Sequence, residues 1–462
     1  MSYDPGRPLT RRDFLSNVTR VGAAGAAACA GARLARATAD ARPPNVILIL
    51  ADDLGYDDLG VQGARDLLTP NIDSIAKNGV RFTDGYVPCP VCGPTRAGLL
   101  TGRYPQSFGF EFNNVRRPTS ADAEYGLPLK QKTLANHLRH AGYKTGIVGK
   151  WHLGDSLRYR PYHRGFDEFF GFIRGRRGYY DDPHEPLFDM DTKVSEREYL
   201  TDAFGRKAVS FIERHRSDPF FLYLPFNAVH SPPDPPPKKY TDRFPHISDR
   251  VRKNFAGMLA ALDDAVGHAL RAVRVRGLSE ETIIIFMSDN GGTQLAGVNP
   301  QRTVQGGKGW LYEGGIRVPM MMKWPKRIAP GTLYRNPVSA LDVVPTMLAA
   351  AGLAPVAGCD GVDLLPFLDG TNTALPHETL YWKYGGSSAI RKGDWKLHFP
   401  FTNAPASLIN LAQDKMEEHD LAAQEPARVA ELSRMLNDFK SLLPHPLWTP
   451  KPVPRSDNPA VE

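Results

Sequence analysis

Two strand-like apolar runs end in paired oxygen donors. Residues 45–50 (NVILIL) lead into Asp52 and Asp53, and residues 282–287 lead through Ser288 into Asp289 and Asn290. Three carboxylates and an amide oxygen are hard donors, which suit Ca²⁺ or Mg²⁺ better than Zn²⁺. Taken singly, each pair also fits the habit of Asp and Asn of capping helices and making turns. Cys89 and Cys92 form a C-x-x-C pair, a spacing that elsewhere serves redox or zinc chemistry. No second such pair completes a zinc site, and the following Pro94-Thr95-Arg96 is left unexplained by it. Arg96, four residues after Cys92, falls on the first turn of a helix, where free N–H groups favour an anion. Lys150 and His152 are alternate residues after another apolar run and can point the same way. Alone, each would be a surface residue. His230 alone reads as a loop histidine, and Lys308, between Gly307 and Gly309, as a solvated turn.

The elements that must position these residues follow from periodicity. Continuous apolar runs at 45–50, 144–148, 220–224, 282–287 and 318–322 predict strands buried on both faces of a parallel sheet. Helical patterns lie between them at 72–77, 134–140, 199–214 and 251–275. In the last, Phe255, Met258, Leu259, Leu262, Val266 and Ala269 form one apolar face. Alternating strands and helices predict a layered α/β sheet, whose ligands sit beyond the carboxyl ends of the strands. After a helix-like segment at 342–351 and an apolar stretch at 361–368 the character changes. Short strands at 380–382, 388–391, 395–399 and 408–411, then a helix at 427–443, predict a small antiparallel sheet packed with one helix. The division expected is a catalytic unit over 42–372 and a C-terminal α+β unit over 373–462.

A chain of 462 residues with 42% hydrophobic and 23% charged residues is neither disordered nor a polytopic membrane protein. Four cysteines, Cys29, Cys89, Cys92 and Cys359, are too few for a disulfide framework. Of 57 basic and 50 acidic residues, six Arg and three Asp fall within the first 41, leaving 51 against 47. That balance argues for no nucleic-acid partner. Arg11-Arg12, a small-residue run over 21–32 and Ala-x-Ala at 37–39 or 39–41 resemble a twin-arginine export signal. The run is too short to span a bilayer, so no transmembrane segment is expected. Export by the twin-arginine machinery implies a periplasmic or secreted protein, with lipid anchoring at Cys29 as the minority alternative.

The stretch from Cys92 to Arg103, CGPTRAGLLTGR, resembles the sulfatase signature, C-x-P-[ST]-R followed by L-x-T-G-R. NVILILADDLGYDDLG, TPNIDSIAKNGVRFTDGY, TGIVGKWHLG, HRGFDEFFGF, MSDNGG, GGKGWLYEGGIRVP, LDVVPTML and DGVDLLPFL are similar to sulfatase blocks in the family's order. The resemblance implies an alkaline-phosphatase-like α/β sandwich. It also implies oxidation of Cys92 to formylglycine by a formylglycine-generating enzyme, with Thr95 keeping the hydroxyl that Ser more often supplies. Metal ligands then fall on Asp52, Asp53, Asp289 and Asn290. Sulfate-binding and catalytic side chains fall on Arg96, Lys150, His152, His230 and Lys308.

Sulfate esters resist nucleophiles because their anionic oxygens repel them, which explains a site of one dication with Arg96, Lys150 and Lys308. By the resemblance, one hydroxyl of the hydrated aldehyde attacks sulfur and forms a covalent sulfate ester. A base, His152, then takes the proton of the second hydroxyl; the carbonyl re-forms and inorganic sulfate leaves by C–O cleavage. His230, with Lys308 beside it, protonates the departing alcohol. A further hypothesis gives Asp289 two roles, metal ligand and acceptor of the attacking hydroxyl's proton. Substrates expected are sulfated saccharides or aryl sulfates, as in the arylsulfatase and N-acetylgalactosamine-6-sulfatase branch. Two rivals remain: a phosphonate monoester or phosphodiester hydrolase of the same superfamily, which tends to have His where Asn290 stands, and an inactive sulfatase-fold protein that binds acidic polysaccharide. Six arginines interleaved with aromatics over 158–177 read either as a platform for an anionic sugar or as a solvated loop with Phe166, Phe169 and Phe170 in the core.

Overall fold

A computed structural model describes residues 42–114, 125–182, 184–231, 235–293, 302–401 and 404–448. The export signal with Cys29, part of the proline-rich 232–237 and the tail at 450–454 lie outside the described residues. The strands are β1 (Asn45–Ala51), β2 (Val80–Phe82), β3 (Gly85–Tyr86), β4 (Lys144–Lys150), β5 (Glu168–Phe172), β6 (Leu187–Asp189), β7 (Thr192–Val194), β8 (Phe220–Pro225), β9 (Thr282–Ser288), β10 (Met320–Lys323), β11 (Thr332–Tyr334), β12 (Val338–Ser339), β13 (Thr379–Tyr384), β14 (Ser387–Lys392), β15 (Trp395–Phe399) and β16 (Ser407–Asn410).

Ten of them form one sheet in the order β11-β2-β10-β9-β1-β8-β4-β5-β6-β7. The central five, β9-β1-β8-β4-β5, are mutually parallel, so their carboxyl ends lie along one rim. All seven residues of β1 are buried. Its side chains alternate between two cores: Val46, Leu48 and Leu50 face one, Ile47, Ile49 and Ala51 the other. Each such Ile or Leu removed from water contributes about 1.5–3 kcal/mol, which is why a run without polar alternation becomes a central strand. Helices Leu200–Arg214 and Arg250–Val275 cover one face, and helices Cys92–Thr101, Leu134–His140 and Val343–Ala350 cover the other. The expected α/β sandwich is thus the architecture observed.

The expected small sheet is also present. Strands β13-β14-β15-β16 are antiparallel, and helix Pro426–Ser441 packs on them through Leu432, Leu436 and Phe439. The opposite face of that sheet joins the main core through Leu380, Trp382 and Ala389.

Two expectations change. The run at 318–322 gives β10, which pairs antiparallel with both β9 and β2 and so does not join the parallel set. The arginine-rich stretch contains β5, which alternates Phe169 into one core and Phe170 and Phe172 into the other. Its arginines are largely committed: Arg164 donates to the carbonyls of Leu127 and Gln131, Arg174 pairs with Asp155 and Glu185, and Arg177 donates to three carbonyls. Arg176 remains exposed.

Candidate active site and metal centre

Four neighbouring strands deliver the site to one rim. Asp52 and Asp53 follow β1, Asp289 and Asn290 follow β9, Lys150 ends β4, and His230 lies five residues beyond β8. Asp53 and His152 both take left-handed backbone, φ 61° and 60°. Non-glycine residues rarely do so, and such strain clusters at functional sites. Cys92 opens the helix Cys92–Thr101, and Arg96, one turn on, lies on the same side.

Lys308 arrives by a different device. The Gly291 N–H donates to the Gly315 carbonyl and the Lys308 N–H to the Gly292 carbonyl, at 3.0 Å each. A Cβ at Gly291 would collide with the Gly314 carbonyl. Only glycine therefore lets the 306–316 loop close over the end of β9.

The side chains converge in one buried network. Lys150 Nζ donates to Asp52 Oδ2 at 2.6 Å. Arg96 donates to Asp289 Oδ2 through Nε at 2.9 Å and through its terminal nitrogen at 2.7 Å. Lys308 Nζ lies 3.0 Å from Asp53 and 3.2 Å from His230 Nε2. The Cys92 thiol is 3.4 Å from Asp52 Oδ1 and 3.9 Å from Asp53 Oδ1. Asn290 Nδ2 donates to Asp53 Oδ1 at 2.8 Å, and the Asp53 N–H to Asp289 Oδ1 at 3.2 Å. Nine of the ten expected residues are linked this way. His152 stands beside them: its ring lies where a Cβ on Gly175 would be, and its buried Nδ1 has no hydrogen-bond partner among the described residues.

Burial and charge act together on the titrating groups. Burial would raise the Asp53 carboxyl, but Lys308, His230 and Lys150 outweigh it and hold the group well below the usual carboxylate range. Burial, then the positive charges of Lys150, Arg96 and Lys308, keep His152 neutral. Burial and Lys308 push His230 down to about 3. Burial also pushes the Cys92 thiol up, so that as a cysteine it stays protonated.

The site has donors for a metal ion. Ligand atoms of Asp52, Asp53, Cys92 and His230 all lie within 4.8 Å of one another. Asn290 Oδ1 is buried without a hydrogen-bond partner among the described residues. Sequence reasoning missed Asn113, whose Oδ1 accepts from the Gly93 N–H at 2.9 Å beside the cysteine. No local spacing announces a contact across 20 residues.

A family model described as "Sulfatase" matches residues 44–353, and one described as "N-sulphoglucosamine sulphohydrolase, C-terminal" matches 306–441. The chain is 36% identical over 448 residues to arylsulfatase A of Bos taurus, covering 89% of this chain and 85% of that protein. It is 35% identical to N-acetylgalactosamine-6-sulfatase of Canis lupus familiaris over 386 residues, 78% and 72% of the two chains. The solved structure of Ps i-CgsB in complex with k-i-k-neocarrahexaose is 36% identical, with a TM-score of 0.82 over 88% of this chain and 95% of that one. A match across most of the chain, joined to a buried charged cluster at the rim of an α/β sheet, makes this protein a member of the sulfatase family and a sulfuric ester hydrolase.

Proposed function

We propose that the substrate is a sulfated saccharide or an aryl sulfate, and that the working nucleophile is formylglycine made from Cys92 by a formylglycine-generating enzyme. The observation that carries this reading is the position of Cys92 Sγ, 3.4 Å from Asp52 Oδ1, in a buried cluster that also holds Arg96, Lys150 and Lys308. The saccharide class draws support from the names of relatives, N-acetylgalactosamine-6-sulfatase and the neocarrahexaose complex. Asn290, where phosphonate hydrolases tend to carry His, favours sulfate over phosphonate esters.

Asp52, Asp53, Asp289 and Asn290 would hold one divalent cation, a hard one because these donors are all oxygens, with Ca²⁺ the first choice and Mg²⁺ the second. Bound there, the cation supplies charge neutralisation to the sulfate oxygens. The matured residue 92 supplies a geminal diol as the nucleophile. Arg96, Lys150 and Lys308 orient the anion and offset the charge that accumulates as sulfur is attacked. His230 Nδ1 donates to the Ser231 carbonyl, so its Nε2 accepts from Lys308 Nζ. That arrangement keeps a proton between Lys308 and His230 for the leaving oxygen. His152, neutral and buried, is the base that releases sulfate. The chain is read as a catalytic unit over 42–372 with a C-terminal unit over 373–462, exported by the twin-arginine machinery to the periplasm or beyond. Among the described residues no helix is long and apolar enough to cross a membrane.

The test is protein made beside a formylglycine-generating enzyme, with mass spectrometry of the Cys92 peptide and paired assays on an aryl sulfate and a phosphonate monoester. The expected result is the aldehyde mass and preferred turnover of the sulfate. A persistent thiol, or a preference for the phosphonate, overturns the reading.

A further inference from the structure

The helix that begins at Cys92 has no cap of its own. Its N-cap position is Val91, which offers no side-chain acceptor, although the first N–H groups of a helix need partners. Asn113, twenty residues away, supplies one: its Oδ1 accepts from the Gly93 N–H at 2.9 Å. The fit is close. A Cβ on Gly93 would lie 3.0 Å from Asn113 Oδ1 and 3.3 Å from the Phe110 ring.

The segment bearing Asn113 is itself held down by the chain's C-terminal end. Trp448 Nε1 donates to the carbonyls of Phe112 and Asn113, at 3.1 Å each. Its ring meets Phe110 edge-on at 4.8 Å and stacks on Tyr125 at 5.7 Å. One residue earlier, the Leu447 N–H donates to the Gly109 carbonyl at 2.9 Å. Trp448 lies beyond both ranges that the family models match, 44–353 and 306–441.

We infer that Asn113 and Trp448 are positioning residues for the nucleophile. The C-terminal strap fixes Asn113 on the Gly93 N–H, and the first turn so held aims position 92 at the Asp52 and Asp53 carboxylates. Misplacement by about 1 Å can cost about 10²-fold in rate. The inference rests on the reading of position 92 as the nucleophile.

Full-length Asn113→Ala, Asn113→Asp and Trp448→Phe enzymes test it, assayed on an aryl sulfate with turnover normalised to the aldehyde content at position 92. Asn113→Ala and Trp448→Phe are expected to lower kcat by about tenfold or more with KM within about twofold, as befits lost alignment rather than lost binding. Asn113→Asp keeps the acceptor and is expected to restore kcat to within about threefold while raising KM for an anionic substrate. A second readout needs no turnover. In protein made without the maturation enzyme, the rate of iodoacetamide alkylation at Cys92 relative to Cys359 is expected to rise about fivefold or more in the same two variants as local opening becomes easier. An unchanged kcat together with an unchanged alkylation ratio overturns the inference, as does a loss that raises both cysteines equally. If Asn113→Ala does not fold, Trp448→Phe decides. A wild-type enzyme that carries no aldehyde or does not turn over strikes the functional reading instead, and the alkylation ratio still judges the strap.

Discussion

At the scale of single residues, Lys308 Nζ and His230 Nε2 lie 3.2 Å apart, and on the proposed function the proton between them matters most where the leaving oxygen is poor. Replacing Lys308 with Met removes that proton and the charge beside Asp53. We expect kcat/KM for an alkyl sulfate to fall by about 10²–10⁴, and for a nitrophenyl sulfate by clearly less, because the phenolate leaves unaided. Steady-state kinetics on the two esters checks the difference. The cation reading yields a second expectation at this scale. Dialysis against a chelator should abolish turnover and lower Tm, and Ca²⁺ should restore both, since a ligand at 100 times its Kd stabilises by about 2.7 kcal/mol. Activity that survives exhaustive chelation would remove the metal from the site.

At the scale of elements, helix Pro70–Lys77 takes its first hydrogen bonds from another helix. Thr69, at its N-cap, makes no side-chain cap bond. Asp263, on helix Arg250–Val275, accepts instead from the Asn71 and Ile72 N–H groups and from Asn71 Nδ2 at 2.7–3.2 Å. Asp263→Ala leaves these donors buried or half-buried without their acceptor and should cost about 2–3 kcal/mol, read as a lower urea midpoint at constant m. In the small sheet, burial and then Lys396 push His398 on β15 down to about 3. The ordinary histidine value is near 6.5. The unfolded chain therefore binds a proton that the folded chain refuses. Stability is complete above about pH 6.5 and declines by up to about 1.4 kcal/mol per unit as pH falls toward 3. His398→Gln should flatten that part of the stability–pH curve relative to wild type, with denaturation at a series of pH values as the measurement.

At the scale of the whole molecule, one buried ionic network joins the small sheet to the loop that carries Lys308. Lys396 of β15 lies 3.0 Å from Glu313 and 2.9 Å from Glu417. Glu313 also accepts from Arg317 Nε and from the Tyr86 hydroxyl, at 2.6 Å each, and its own N–H donates to Glu417 Oε2 at 2.6 Å. Glu313 stands five residues after Lys308, so the C-terminal sheet buttresses the loop that carries Lys308. Lys396→Met leaves two carboxylates buried and facing each other. We expect a loss of about 3–5 kcal/mol, the usual cost of removing one partner of a buried pair, and a fall in the specific activity of the protein that remains folded. Chemical denaturation paired with kinetics measures both.

The same scales separate what the sequence determined from what only folding decided. Strands β1 and β9 were legible because a run of β-branched and apolar residues without polar alternation can be satisfied only between two cores. Helix Arg250–Val275 was legible from its three-and-four spacing, and the ends of those strands pointed to Asp52, Asp53, Asp289 and Asn290. Strand β5 was not legible: Phe169 and Phe170 alternate between cores inside a stretch dense with arginine, and the cations masked the pattern. Arg164, Arg174 and Arg177 read either as a platform for an anionic sugar or as part of a solvated loop until their carbonyl and carboxylate partners came into view. Asn113, Gly175 and Trp448 carried no signal at all. Local sterics and burial periodicity act over a few residues and leave their mark on the order of the chain. The pairing of Arg96 with Asp289 across 193 residues, or of Trp448 with Phe112 across 336, has no such mark. It exists only once the sheet has brought its strand ends to one rim.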